Sequence, residues 1–522
     1  MINVVKLFYA VMVLGAALSL WAGDLDTIGV TVLRQVDPTL QGSGVRVAQP
    51  EASLTTNVPP TFEVNPANVG RPASLFTYMS LSGVATNYPN SAGTNSSHAD
   101  AVGANYYGIP SGVATNVSHV DNYDADYFFN YIISPRYAIP ARIVSQSFIF
   151  YISDELQANT NYDNYAAQYG TLFISGIGNG GGTPVSPPAT CFNGIGVGVY
   201  GAPSSFGPTD DGRSKPDIIA PGGYTSFSTP YVAGSAAILL QAANRGDGGA
   251  NTNSSNGRTL KALLINGAVK PVDWTNGVTT PLDARYGAGI VNVFNSWQQM
   301  KGGQHSFIET TSNNGGAAHP PGTNASNEPV LVGWDFNSIT NTGASSNYQE
   351  QVNHYYFNLP TNGGNSFTLT TTLVWNRHYK QSNINDLNLF LYDASNSNLV
   401  ACSTSAVDNV EHIFLPSVPP GRYDLQVQKS TNNALTVSTN EIYALAFEIF
   451  NMNLDVARVG GKVVVSWPVY PTGFNLESTA NLDSPISWTM VSSPVSVNTN
   501  RYRNIVTQTV GGTNQFFRLQ RP

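Results

Sequence analysis

SKPDIIAPGGYTSFSTPYVAGSAAILLQAA, residues 214–243, is the stretch that decides the fold of this chain. Thr229 and Pro230 predict a helix start, because a hydroxyl can cap the first turn and proline is tolerated where no N–H is needed. The run from Val232 to Leu240 that follows is apolar on nearly every side. A helix without a polar face belongs in a protein interior. We therefore predict a buried helix that begins near Thr229.

Ser226 lies three residues before this predicted cap. The positive end of the helix dipole and the unpaired N–H groups at that end favour a developing negative charge, as acyl transfer requires. On the local pattern alone, a packed core helix is the more common explanation of such a segment. Partners elsewhere in the chain are therefore needed before Ser226 can be assigned as a nucleophile.

The same segment resembles the serine motif of the subtilisin-like (subtilase, S8) serine peptidases, in which KPD-x-x-APG precedes GTSMATPHVAG. The residues that match this motif are Lys215, Pro216, Asp217, Ala220, Pro221, Gly222, Thr225, Ser226, Thr229, Pro230, Val232, Ala233 and Gly234. The resemblance implies a secreted serine endopeptidase that cleaves proteins or peptides, with Ser226 as its nucleophile. It also implies partners in the order acid, histidine, asparagine, serine along the chain.

Two of these partners are found in that order. His98 stands in SSHADAVGANYYG, residues 96–108, which resembles the HGTHVAG helix start of the family. Asn179 ends GTLFISGIGN, residues 170–179, and resembles the asparagine of AAGN-x-G. The resemblance implies that His98 is the general base and that the Asn179 amide binds the oxyanion together with the Ser226 N–H.

The acid departs from the family pattern. GSGVRVAQPEAS, residues 42–53, resembles G-x-GV-x-VAVIDTG and places Glu51 where the family has aspartate. Asp37 lies before this strand and would need a different alignment. Glutamate fills the same role in other hydrolase triads, holding the imidazole and stabilising its charged form. We therefore predict a Ser-His-Glu triad.

The resemblance also implies a substrate-binding cleft. It places Ser147, in ARIVSQSF, together with Gly176 and Gly178 along the substrate. Ile149 stands where the family has a glycine that leaves room for a substrate side chain, and Tyr224 stands where it has the glycine before Thr-Ser. The cleavage preference is therefore left open.

Alternating strand and helix signals over residues 24–300 predict an α/β domain with a subtilisin-like parallel sheet and helices on both faces. Candidate strands cover 45–49, 142–151, 171–177 and 195–200, and candidate helices begin near His98, Ser153, Thr229 and Arg258. Residues 1–22 carry Lys6 and an apolar stretch before small residues, which predicts a secretory signal peptide and no membrane span. Too few residues separate this segment from the first strand for the propeptide usual in the family.

Beyond residue 300 the apolar spacing changes to period two, with turns rich in Asn, Gly and Pro. We predict a β-sandwich of jelly-roll type over 301–450 and a small all-β module over 451–522. The pieces NDLNLFLYD and PPGRYDLQV resemble the β domain that follows the catalytic domain in some bacterial subtilases. In that setting Asp386, Asp408 and Glu411 are candidate ligands of structural calcium. Turn-forming acidic residues are an equally good explanation.

Composition agrees with an exported enzyme. The net charge is −8 and only 11% of residues are charged, which argues against a nucleic-acid partner because that requires clustered Lys and Arg. Two cysteines in separate predicted domains favour free thiols over a disulfide framework. The proposed chemistry needs no cofactor. The alternative is a non-catalytic subtilase-derived protein that binds a surface or polysaccharide through its C-terminal β domains.

Overall fold

The computed structural model describes residues 23–150, 155–182, 184–307, 330–340, 352–361, 366–430, 437–469, 471–498, 503–509 and 515–520. The predicted signal peptide, residues 1–22, lies outside the described residues. In the described part of the chain, no helix is both long enough and apolar enough to cross a membrane.

The first part of the chain folds around an eight-stranded sheet in the order β10-β9-β8-β7-β1-β6-β3-β4. Neighbouring strands are parallel except β3 and β4. A short parallel ladder of β2 and β5 lies apart from this sheet. The strands are β1 Arg46–Glu51, β2 Thr61–Glu63, β3 Phe76–Ser80, β4 Gly83–Ala85, β5 Thr94–Asn95, β6 His119–Asp124, β7 Ile143–Gln146, β8 Leu172–Gly176, β9 Ile195–Val199 and β10 Ile218–Ala220.

Helices cover both faces of this sheet. Val47 and Ile174 point into one hydrophobic core, and Ala48 and Phe173 point into another, because side chains alternate along a strand. The α-helices are α1 Asp24–Thr27, α2 Val30–Val36, α3 Ser97–Tyr106, α4 Ala125–Tyr127, α5 Glu155–Tyr169, α6 Thr225–Asn244, α7 Gly257–Asn266 and α8 Val293–Lys301. Parallel sheets are typically covered in this way, and the predicted α/β fold class is confirmed.

The next part forms two four-stranded antiparallel sheets, β11-β18-β13-β16 and β12-β17-β14-β15, as predicted for a β-sandwich. Leu373 and Leu445 of one sheet share a core with Leu389 and Leu425 of the other. The strands are β11 Val332–Thr340, β12 Val352–Leu359, β13 Phe367–Trp375, β14 Leu387–Asp393, β15 Asn398–Ser403, β16 Val410–Val418, β17 Gly421–Lys429 and β18 Asn440–Phe450.

The end of the chain is a smaller all-β module with a four-stranded sheet, β19-β20-β24-β23, and a three-stranded sheet, β22-β21-β25. Its core is built around Val465, Trp467, Leu476 and Val506. The strands are β19 Asp455–Val459, β20 Lys462–Pro468, β21 Asn475–Thr479, β22 Thr489–Met490, β23 Ser496–Asn498, β24 Arg503–Thr509 and β25 Phe516–Gln520.

A buried polar interface joins the β-sandwich to the α/β domain. Arg377 forms an ion pair with Asp163 at 2.7 Å, and both side chains are 1% exposed. Asn193 binds the backbone of Arg377 on both sides, accepting from its N–H at 2.8 Å and donating to its carbonyl at 2.9 Å. The Phe192 ring lies between the guanidinium groups of Arg213 and Arg377, 3.8 and 5.0 Å from its centroid.

One predicted boundary is wrong. Helix α6 begins at Thr225 rather than near Thr229, so Ser226 lies in its first turn and Pro230 lies inside it. Proline has no N–H to donate to the carbonyl four residues earlier, which belongs to Ser226. The hydroxyl of Ser147 donates to that carbonyl instead, at 2.8 Å. A contact distant in sequence therefore lets the helix start early.

The cysteines are both free, in agreement with the prediction. Burial raises the pKa of Cys191 to about 12, and burial also raises the pKa of Cys402. A thiol with a raised pKa is a poor nucleophile. Neither cysteine therefore competes with Ser226 as the candidate reactive group.

Candidate active site

Glu51 and His98 form a buried pair at the carboxyl end of the central strand. Glu51 is the last residue of β1 and is fully buried, and His98 is the second residue of α3. The Ser96 hydroxyl caps this helix by accepting from Ala99 N at 3.2 Å. His98 Nδ1 lies 2.8 Å from Glu51 Oε2. The strand end and the helix start thus bring together two residues that the sequence analysis assigned to one triad.

The electrostatics of His98 follow from this pairing. Burial lowers the pKa of His98, but the charge of Glu51 and the hydrogen bond to it outweigh burial and raise the pKa above its usual value. The His98 side chain is still 18% exposed. An imidazole held in this way has its Nε2 edge available for a proton from a nearby hydroxyl.

The sequence analysis missed two further residues: Gln49, which holds the other oxygen of Glu51, and Tyr107, which holds Gln49. Gln49 Nε2 donates to Glu51 Oε1 at 2.9 Å, and Tyr107 OH donates to Gln49 Oε1 at 2.5 Å. The only signal in the sequence was a glutamine two residues before Glu51 in the predicted strand segment.

Ser226 lies at the start of α6 and is bound to Ser147 in two directions. The Ser147 hydroxyl donates to Ser226 O at 2.8 Å, and the Ser226 hydroxyl donates to Ser147 O at 3.3 Å. Among the described hydrogen bonds, none joins Ser226 Oγ to His98. The His98 ring lies 6.1 Å from the ring of Phe227, the residue after Ser226. Catalytic hydrogen bonds are often long or misaligned without substrate, so this geometry is compatible with proton transfer.

Asn179 is oriented by Thr225, the residue before Ser226. Its Oδ1 accepts from Thr225 N at 2.9 Å and from Thr225 Oγ1 at 3.0 Å. A backbone N–H can only donate, so the oxygen must face Thr225 and the Nδ2 group must face away from it. Asn179 itself is exposed. Its amide N–H groups are therefore available beside the first turn of α6.

The predicted substrate-binding residues lie around Ser226 in different roles. Gly176 is buried, and a Cβ there would come within 3.1 Å of the hydroxyls of Thr225 and Thr229, so this glycine allows the close approach of α6. Gly178 has a φ of +106°. Ile149 Cδ1 lies 3.7 Å from the place where a Gly178 Cβ would stand, so its side chain occupies space beside Gly178.

Comparison with known proteins identifies the family of the segment that carries His98, Asn179 and Ser226, whereas Glu51 lies before the matched range. Residues 83–289 match the subtilase family, peptidase S8, and residues 351–429 match the bacterial pre-peptidase C-terminal domain. The chain contains a subtilase domain. The match supports a serine endopeptidase that acts on peptide substrates.

Solved structures of similar proteins each match about half of the chain. The prenylagaramide maturation protease PagA is 20% identical over 52% of this chain and 98% of its own, with a TM-score of 0.39. The patellamide maturation protease PatA is 22% identical over 50% and 98%, with a TM-score of 0.36. A protease from Pseudoalteromonas arctica is 19% identical over 51% and 93%, with a TM-score of 0.36. At these values the solved structures add nothing to the family match.

The acidic residues predicted to bind calcium lie beyond the subtilase domain, and within the described ranges no three His, Cys, Asp or Glu residues form a group that could hold a metal ion. Asp408 Oδ1 accepts from Ser214 N of the subtilase domain at 2.8 Å. Glu411 Oε1 accepts from Ser405 N at 2.6 Å. Burial raises the pKa of Asp386, and burial raises the pKa of Glu411 well above its usual range. Calcium binding by these three residues stays a prediction.

Proposed function

We propose that Ser226, His98 and Glu51 form the catalytic triad of this subtilase and that Asn179 binds the oxyanion. The observation that carries the proposal is the 2.8 Å contact between His98 Nδ1 and the fully buried carboxylate of Glu51. An unpaired buried carboxylate is costly, so a glutamate retained at this place needs a partner such as His98. The oriented amide of Asn179 beside α6 supports the oxyanion assignment.

The mechanism follows from these positions. Ser226 Oγ attacks the carbonyl carbon of the peptide bond, and His98 Nε2 takes its proton. Glu51 holds the Nδ1 side of the imidazole and stabilises the imidazolium that forms. Asn179 Nδ2 and the Ser226 N–H donate hydrogen bonds to the negatively charged oxygen of the tetrahedral intermediate. The Ser226 N–H lies in the first turn of a helix and has no intrahelical acceptor.

The second half of the reaction uses the same groups. His98 returns the proton to the leaving amine as the peptide bond breaks and the acyl-enzyme forms. A water molecule then gives a proton to His98 and attacks the acyl carbon, which releases the second product and restores the Ser226 hydroxyl. No metal ion takes part in these steps.

Export of this enzyme is also part of the proposal. It is supported by the signal-like pattern of residues 1–22 and by the low charge of the chain. Ile28, Val30 and Leu33 are fully buried in the main core, and Val293 N donates to Ile28 O at 2.9 Å. The segment that follows residue 23 therefore belongs to the folded domain, which favours cleavage of the leader before Asp24.

A fluorophosphonate probe tests the nucleophile. The folded protein should be labelled covalently, the label should map to Ser226, and Ser226→Ala should abolish it. Ser228→Ala is a matched control, because that serine is buried in the same helix and its hydroxyl only donates to backbone carbonyls. A folded protein that is not labelled would favour the non-catalytic binding protein, and a label that survives Ser226→Ala would show that another residue is the nucleophile.

A further inference from the structure

A buried chain of polar groups runs through the core behind the triad. Gln49 lies in β1 and is fully buried. Buried amides almost always find hydrogen-bond partners, and this one uses both N–H groups and its oxygen. Its Nε2 donates to Glu51 Oε1 at 2.9 Å and to Ala99 O at 3.0 Å, and its Oε1 accepts from Tyr107 OH at 2.5 Å. The amide orientation is therefore determined, with the nitrogen toward Glu51.

Tyr107 keeps that orientation at any pH at which the enzyme works. Burial, reinforced by nearby ionisable groups including Glu51, raises the pKa of Tyr107 well above its usual value. The phenol therefore stays protonated, and its single O–H points at Gln49 Oε1. If the amide turned over, the Tyr107 O–H would lose its acceptor, and the Glu51 carboxylate would face the amide oxygen.

Two of the departures from the family motif in this strand, Gln49 and Glu51, contact each other. The subtilase motif quoted above, VAVIDTG, has valine where Gln49 stands and aspartate where Glu51 stands. Residues two apart in a strand lie on the same face, so a polar side chain at 49 reaches a carboxylate at 51. A glutamate has one more rotatable bond than an aspartate, and fixing that bond costs conformational entropy. A hydrogen bond to Oε1 selects the rotamer in which Oε2 meets His98.

We infer that Gln49, held by Tyr107, is a positioning residue that adapts the triad to a glutamate. It acts through Glu51 and does not touch the reacting atoms. The inference rests on the proposed triad and adds to it a second group whose loss should change turnover. Partners of this kind typically matter by about 10- to 100-fold where they orient a functional group.

The test is a double-mutant cycle of Gln49→Val and Glu51→Asp, with kcat and KM measured on a peptide substrate. Q49V should lower kcat by about 10- to 100-fold with little change in KM. E51D alone should also lower kcat, because the shorter carboxylate cannot satisfy both Gln49 and His98. The double variant restores the residues of the family motif at positions 49 and 51 and should be more active than the product of the two single effects.

A second variant and a control separate positioning from general stability. Tyr107→Phe removes one hydroxyl and frees the amide to turn over, so it should lower kcat and shift the acid limb of the pH profile. Gln146→Val removes another fully buried glutamine, which lies in the neighbouring strand β7 and donates to Tyr162 OH at 2.7 Å. Its effect on kcat should be the same in the wild-type and E51D backgrounds. Unfolding midpoints of all variants, measured with Ser226→Ala added, show which of them remain folded.

The outcomes distinguish this inference from the proposed function. If Q49V and E51D each lower kcat but their effects simply multiply, Gln49 does not position Glu51 and only the inference fails. If E51D and E51Q leave kcat unchanged while Ser226→Ala abolishes it, Glu51 is not the acid and the proposed triad itself fails.

Discussion

Replacing Arg377 by methionine should destabilise both the β-sandwich and the subtilase domain to which it is bound. Methionine keeps most of the apolar stem of the side chain and removes the charge. What remains is the Asp163 carboxylate, 1% exposed, whose Oδ1 keeps the hydrogen bond from Asn193 N at 2.7 Å. Its Oδ2 then has no partner, since in the described residues Arg377 alone meets it.

The magnitude follows from that isolated charge. Breaking a buried ion pair by removing one partner costs about 3–5 kcal/mol, because the other charge remains desolvated. Removing both charges restores most of this, since a buried pair is often no more stabilising than neutral groups of the same size. R377M should therefore lower the free energy of unfolding by about 3–5 kcal/mol, and R377M/D163N should recover most of the loss.

The assay is urea denaturation followed by tryptophan fluorescence, in a Ser226→Ala background so that unfolded chains are not digested. Arg518→Met is the matched control, because Arg518 pairs with Glu477 at 2.7 Å but is 42% exposed. An exposed pair of this kind contributes about 1 kcal/mol or less.

Two results would refute the reasoning. One is a loss for R377M no larger than that for Arg518→Met. The other is a denaturation curve in which the β-sandwich unfolds first and the midpoint of the subtilase domain is unchanged, which would mean that the interface does not couple the two.

Two predictions concern pH. The pKa of His98 is raised by Glu51 against the effect of burial, so activity should fall as pH drops through that raised value. Glu51→Gln removes the charge that raises the pKa of His98 and leaves the lowering effect of burial. It should lower turnover by about 10⁴-fold and move the acid limb of the residual kcat/KM to lower pH. A limb that stays in place would contradict the pairing of Glu51 with His98. Burial raises the pKa of Glu63 from 4.5 to about 7, so the folded state prefers the protonated form and stability is lost as pH rises through this range. Glu63→Gln should therefore match the wild type below pH 4.5 and be more stable than it above pH 7 in denaturation measurements, whereas equal stability at both pH values would show that the carboxyl is solvated.

Much of the fold could be predicted because its signals are local. Patterns among neighbouring residues indicate the alternating strands and helices of residues 24–300 and the period-two strands beyond them. The motif around Ser226 indicates that this serine lies at a helix start. His98 and Glu51 could be predicted only through the family motif, because residues 47 positions apart in the chain give no local sign of contact.

What could not be predicted depends on contacts distant in sequence. The early start of α6 requires the Ser147 hydroxyl to replace the hydrogen bond that Pro230 cannot make. The role of Gln49 was not recognised, because it depends on contacts with Tyr107 and Glu51 that form only in the folded protein. Arg377 resembles any surface arginine until Asp163 is known to be its neighbour.

The reciprocal binding of Ser147 and Ser226 has a practical consequence. Alanine at 226 removes the weaker of the two bonds, the 3.3 Å contact from the side chain, and keeps the 2.8 Å contact that the backbone carbonyl accepts. The inactive variant should thus retain the shape of the cleft around the missing hydroxyl. It can serve as a trap that holds uncut peptides, from which the residues favoured on either side of the scissile bond can be identified directly.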